Sequence, residues 1–154
     1  RKISEFLQSP DNEFVKTAIR GLHNWPNMDP LDDLIKLVKN NDNKSIKILA
    51  LRGYIKILNN FGSYQTPNII ELYKQAINES KNDSEIIMAL SGLSGVYTVE
   101  AAELVLPYLE DEKLKPEAEL ALLEILNRAR WSKPNEAYDL LLKITQNPSS
   151  QDIE

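Results

Sequence analysis

Four segments of the chain repeat one pattern: an alanine, an apolar residue, a variable residue, a small residue in three of the four, and a second apolar residue. They are Ala18-Ile19-Arg20-Gly21-Leu22, Ala50-Leu51-Arg52-Gly53-Tyr54, Ala89-Leu90-Ser91-Gly92-Leu93 and Ala121-Leu122-Leu123-Glu124-Ile125. The alanines are 32, 39 and 32 residues apart. A recurring unit of that size cannot bury its apolar face alone, so it must stack on its neighbours. Glycine inside a helix costs about 1 kcal/mol relative to alanine. Gly21, Gly53 and Gly92 at equivalent places therefore predict close approach of a neighbouring helix at each.

The rest of the chain fits helices joined by short polar breaks. Leu31, Leu34, Ile35 and Val38 trace one helical stripe, as do Ile69, Leu72, Tyr73 and Ala76. No stretch alternates like a strand. Nine helices are predicted, over 2–8, 12–24, 30–40, 43–59, 67–79, 83–95, 98–110, 115–129 and 134–146. Asp29-Pro30 and Thr66-Pro67 read as cap plus first-turn proline, and Asn82 with Glu85 as a capping box. The helix over 43–59 is apolar nearly all round and is expected between layers. The predicted fold is all-α, a right-handed α–α superhelix (solenoid) of about four to five stacked hairpins. It is expected to span 1–147, followed by a polar tail over 148–154.

The alanine–glycine second helix, with Pro107 inside Val105-Leu106-Pro107-Tyr108-Leu109, resembles the HEAT-like repeat family across residues 12–129. Leu22-His23-Asn24-Trp25-Pro26, the stripe from Leu31 to Val38, and Ala50 to Tyr54 resemble in particular a HEAT-like module of large bacterial multidomain proteins, where it accompanies sugar-related or haem-binding modules. The resemblance implies an interaction module of bacterial origin and is compatible with export. Tetratricopeptide repeats have a period near 34, but their Trp-x-x-Leu-Gly start is absent and the interval of 39 breaks the period. The chain opens on Arg1, as expected of a processed product or a piece of a longer protein.

Composition narrows the chemistry. With no cysteine and one histidine, His23, neither a thiolate site nor a multi-histidine metal site can form within one chain. No metal, cofactor or catalytic residue is expected, and the chain is read as not an enzyme. A formal charge of −5 argues against nucleic acid, and no apolar run is long enough to span a membrane. Gly92-Leu93-Ser94-Gly95 lacks the spacing and the strand-to-helix turn of a nucleophile elbow and reads as helix packing. His23 reads as a helix-end residue on the C-terminal dipole. The carboxylates of Glu110, Asp111 and Glu112 read as a solvated loop, since no facing pair or calcium-loop spacing is present.

Two binding readings remain. Segment 31–60 carries six basic against three acidic residues, and segment 98–125 two against eight. That asymmetry suits steering of a bipolar partner, or simple solubility. On stacked second helices Arg20, Arg52, Ser91 and Glu124 would form a ladder, with Arg20 and Arg52 engaging a carboxylate or phosphate. Trp25 and Tyr54 would act as anchors. The expected function is docking of a protein, or of a neighbouring domain of the same chain, on the second-helix face. Arg52→Ala is then expected to weaken binding while leaving the fold intact. The alternative is a carbohydrate-binding accessory module using an aromatic edge of Trp25, Tyr64, Tyr97 and Trp131.

Overall fold

The structure is a computed structural model, which describes residues 2–63, 65–132 and 134–145. Among the described residues there are nine α-helices and no strand: α1 (Lys2–Leu7), α2 (Asn12–Leu22), α3 (Leu31–Asn40), α4 (Lys44–Phe61), α5 (Ile69–Glu79), α6 (Asp83–Leu93), α7 (Val99–Val105), α8 (Lys115–Ser132) and α9 (Pro134–Thr145). A 3₁₀ segment, Leu106–Glu110, follows α7. The tail over 148–154 lies outside the described residues.

Local chemistry fixes most helix starts. The Asp11 carboxylate accepts from the amides of Glu13 and Phe14 to cap α2. Asn43 caps α4 through Ser45 and Ile46, and the Thr98 hydroxyl caps α7 through Ala101. Each satisfies amides that the first turn leaves without a partner. The two proline starts behave otherwise. Asp29 accepts from the Asn27 side chain instead of capping α3, which begins after Pro30. Thr66 accepts from the Ser63 amide, and α5 begins after Asn68, which holds the left-handed conformation at φ 57°. The capping box also differs: the Asn82 amide donates to the Glu85 carboxylate at 2.7 Å and makes no side-chain cap. The helix expected over 98–110 ends at Val105, because Pro107 has no N–H to continue the ladder and the chain tightens into 3₁₀ turns.

The helices form pairs, α1 with α2, α3 with α4, α5 with α6 and α7 with α8, while α9 packs on α8 and α7. The second helices α2, α4, α6 and α8 touch in series. Among the first helices, α1 touches α3 and α5 touches α7. Helix α4 meets α2, α3, α5 and α6, and its residues Ile46, Leu51, Ile55 and Leu58 are buried on several faces. That is the enclosed position its all-round apolar surface requires. One core of buried residues runs from Leu7 to Leu140.

The repeated motif has one burial pattern. In α4, α6 and α8 the first, second and fifth positions are buried: Ala50, Leu51 and Tyr54; Ala89, Leu90 and Leu93; Ala121, Leu122 and Ile125. In α2, Ile19 and Leu22 are buried and Ala18 is half-buried. The third position is exposed in all four helices.

The glycines divide. A Cβ on Gly53 would meet the His23 ring at 2.7 and 2.9 Å. One on Gly92 would strike the Asn59 amide and come within 2.5 Å of the Tyr73 hydroxyl. The space is needed for a polar side chain bridging two repeats, not for close contact of helix backbones. Gly21 departs from the expectation: nothing lies within 4 Å of a Cβ placed there.

Candidate functional site

Arg20 and Arg52 hold the third, exposed motif position of α2 and α4. Arg20 from α2 and Arg52 from α4 line a single cleft of about 300 Å³ with Lys16, Ser45, Ile48 and Leu49. Lys16 and Arg20 are one helical turn apart, so both point to the same side of α2. Half-buried Ile48 and Leu49 form the apolar lining, and the cations and the Ser45 hydroxyl supply donors.

The two arginines differ in what already holds them. Arg52 donates from Nε to the Glu85 carboxylate at 2.8 Å and from Nη2 to the Ser84 hydroxyl at 3.2 Å, and Nη2 is also 2.8 Å from Glu85 Oε1. Glu85 is buried although charged. Burial pushes its carboxyl up, but hydrogen bonds from Asn82, Arg52 and Ser84 and the Arg52 charge outweigh that, leaving it below the ordinary carboxylate range. Arg52 therefore joins α4 to α6, so its loss is now expected to weaken the fold and not to spare it. Arg20 is exposed and makes no hydrogen bond or ion pair among the described residues. Lys16 is paired with Glu13 at 2.8 Å.

Tyr54 is not a surface anchor. Its ring is fully buried, and its hydroxyl lies 3.4 Å from both the Leu72 carbonyl and Gln75 Oε1. Position five of the motif faces the core, whatever residue type fills it. Trp25 is half-buried and packs against that core. Among the edge aromatics, Tyr97 lies beneath the Arg128 guanidinium, 4.3 Å from its ring centre, and Tyr64 lies outside the described residues. Trp131 is 80% exposed. The described members are thus one plug, one half-buried ring under Arg128 and one largely exposed ring that Arg130 covers in part, not a continuous exposed row. The ladder is corrected at its last rung: the third position in α8 is Leu123, 66% exposed, and Glu124 lies one residue on, 3.7 Å from Arg128.

His23 does not cap its own helix with its side chain. Its Nε2 lies 3.3 Å from the Leu49 carbonyl of α4, and its ring fills the space at Gly53. Burial lowers its pKa, the Leu49 carbonyl opposes that, and the charges of Lys56 and Arg20 lower it further. A base with a depressed folded pKa takes up its proton more readily when unfolded. Stability should therefore hold above about pH 6.5 and decline as the pH falls from there to the folded pKa. Denaturant midpoints between about pH 7.5 and 5.5 check this. A decline that persists unchanged in His23→Gln would assign the effect elsewhere.

Other candidates are structural. The Ser94 hydroxyl donates to the Ser91 carbonyl at 2.6 Å at the end of α6, which fits helix packing and not a nucleophile elbow. Asp111 accepts from the amides of Lys113 and Leu114 in the turn before α8. A larger cleft of about 400 Å³ between α1 and α3 has Asp33 and Lys36 among its lining, whose charges offset each other. Among the described residues no cluster of His, Asp or Glu is placed to hold a metal ion, and no helix is long and apolar enough to cross a membrane.

Lys16, Ser45, Ile48 and Leu49 were not singled out from the sequence. The spacing of Lys16 and Arg20 was the available signal for the first. The others depend on how α2 meets α4, 25 or more residues away. No family model matches the chain, and neither a curated protein nor a solved structure matches it.

Proposed function

We propose that the chain is a non-catalytic docking module: a HEAT-like, right-handed stack of helical hairpins that receives a partner protein, or a neighbouring domain of its own chain, on the second-helix face. The observation that carries this reading is the α2–α4 cleft, in which unpaired Arg20 stands beside Lys16 and Arg52 over an apolar lining. A guanidinium with no partner among the described residues is suited to a carboxylate, which it binds through two parallel N–H donors. The serial contact of α2, α4, α6 and α8 supports the solenoid arrangement, because it extends one exposed face across successive repeats. The partner group in the cleft is read as a carboxylate side chain, from charge complementarity.

A labelled peptide of Asp, Glu, Gly and Ser tests this by fluorescence anisotropy. Binding should weaken with added salt, since exposed charges are screened over about 8 Å at physiological ionic strength. Arg20→Glu should cut affinity by about tenfold or more, equivalent to about 1.4 kcal/mol. Its melting temperature should be lowered by no more than about 4 °C, since the side chain makes no bond among the described residues and the fold loses only its charge in the last turn of α2. Equal affinity for the parent and Arg20→Glu would overturn the cleft assignment.

A further inference from the structure

The second-helix face changes character along its length. At α2 and α4 its third positions are Arg20 and Arg52; at α6 the position is Ser91; at α8 it is Leu123. Leu123 does not stand alone. Leu120 precedes it by three residues, Trp131 follows it by eight, and the three are 60%, 66% and 80% exposed. Offsets of three and eight residues keep them on one side of an α-helix. An isolated exposed leucine is ordinary, but Leu120 and Leu123 are neighbours on one helix side, with Trp131 about 12 Å farther along it, and such a row of large apolar side chains marks an interaction surface. The cluster shares its helix phase with the cationic rungs, because the alanine, second and fifth positions of the motif are buried in α8 as they are in α4. Arg130 lies 5.0 Å from the Trp131 ring centre and covers it only in part, since the ring remains the most exposed large apolar side chain among the described residues.

We propose that the segment docking on this face is bipolar: carboxylates at one end, held over Lys16, Arg20 and Arg52, and aliphatic or aromatic side chains at the other, held over Leu120, Leu123 and Trp131. This rests on the reading of the second-helix face as a docking surface and adds the chemistry and spacing of its partner. Neighbouring helices pack about 8–10 Å apart, so two and a half steps from the α2–α4 cleft to α8 cover about 20–25 Å. An extended chain at about 3.3 Å per residue spans that distance in about seven residues. Between the two ends, Ser91 gives the segment a small polar step to cross on α6. The charged end would set orientation and encounter rate, and the apolar end would add desolvation.

Labelled peptides of about twelve residues provide the test with the full chain. One carries an Asp-Glu pair and a Leu-Phe pair separated by a Gly/Ser spacer of about seven residues, made in both chain orders; a second has the apolar pair replaced by serine; a third has the acidic pair replaced by serine. In one of the two orders the two-ended peptide should bind at least about tenfold more tightly than either half. Leu123→Ser should remove most of that gain and leave the acid-only peptide unchanged, while Arg20→Ala should weaken both acid-bearing peptides. Both substituted side chains are exposed, so melting temperatures should match the parent. If the two-ended and acid-only peptides bind equally, the bipolar assignment fails while the docking reading stands. If no acidic peptide binds, the docking reading fails and the assignment with it. If Leu123→Ser weakens the acid-only peptide as much as the two-ended one, the apolar end has no separate role and the assignment is overturned.

Discussion

Arg52→Ala is expected to destabilise the fold by about 2 kcal/mol, because it leaves the buried Glu85 carboxylate without its counter-charge. For a chain of this size that corresponds to a fall of about 4–8 °C in melting temperature. The loss should depend on pH in a defined sense. Glu85 has a folded pKa below its ordinary value of 4.5, so its contribution is present above that value and is lost as the pH falls through the folded pKa. Without Arg52, burial acts with less opposition, the folded pKa rises, and acid unfolding should begin at a higher pH. Arg52→Lys keeps the charge but not the paired N–H geometry, and should fall between the two. A melting temperature for Arg52→Ala equal to the parent's would show that Glu85 does not depend on Arg52.

The glycine pair gives the second large effect, in opposite directions. Gly92→Ala places a methyl group on the Asn59 amide, which donates to the Met88 carbonyl at 2.9 Å and accepts from the Tyr73 hydroxyl at 3.1 Å. Tyr73 is fully buried, so displacing Asn59 strips its hydroxyl of that acceptor. Overpacking and the lost hydrogen bonds should cost about 3 kcal/mol against about 1 kcal/mol of helix propensity gained, a net loss of about 2 kcal/mol. Gly21→Ala meets nothing and should stabilise by up to about 1 kcal/mol. Denaturant unfolding of the two variants checks both signs. Stabilisation by both alanines would mean that Asn59 moves aside freely; a double-mutant cycle of Gly92→Ala with Asn59→Ala would then show no coupling.

What was readable in the sequence follows the range of each interaction. Helix existence was legible because the apolar stripes repeat within a turn or two. The caps were not, since those read at Asp29, Thr66 and Asn82 do not form, while Asp11, Asn43 and Thr98, which do cap, carried no proline or capping-box signal. The exposed third position was legible in α2, α4 and α6, where Arg20, Arg52 and Ser91 were read as a ladder, but not in α8. Pro107 announced the break after α7, although the sequence reading carried the helix through it. The glycines signalled that something approaches, but not that His23 and Asn59 are what does, since each comes from the preceding second helix 30 or more residues away. Arg52 looked like a surface ligand because Glu85, 33 residues on, could not be placed opposite it. Tyr54 was misplaced for a different reason: aromatic type suggested an anchor, and motif position, which sends it inward, was given too little weight. Leu123 was overlooked beside the charged Glu124, although counting from Ala121 puts it on the exposed rung.

The docking face can be mapped directly by following backbone amide shifts of the labelled chain as the two-ended acidic–apolar peptide is added. The account predicts shifts concentrated on α2, α4 and α8 around Arg20, Arg52, Leu120 and Leu123, with α3, α5 and α7 unmoved. Shifts confined to the first helices, or none at saturating peptide, would contradict it.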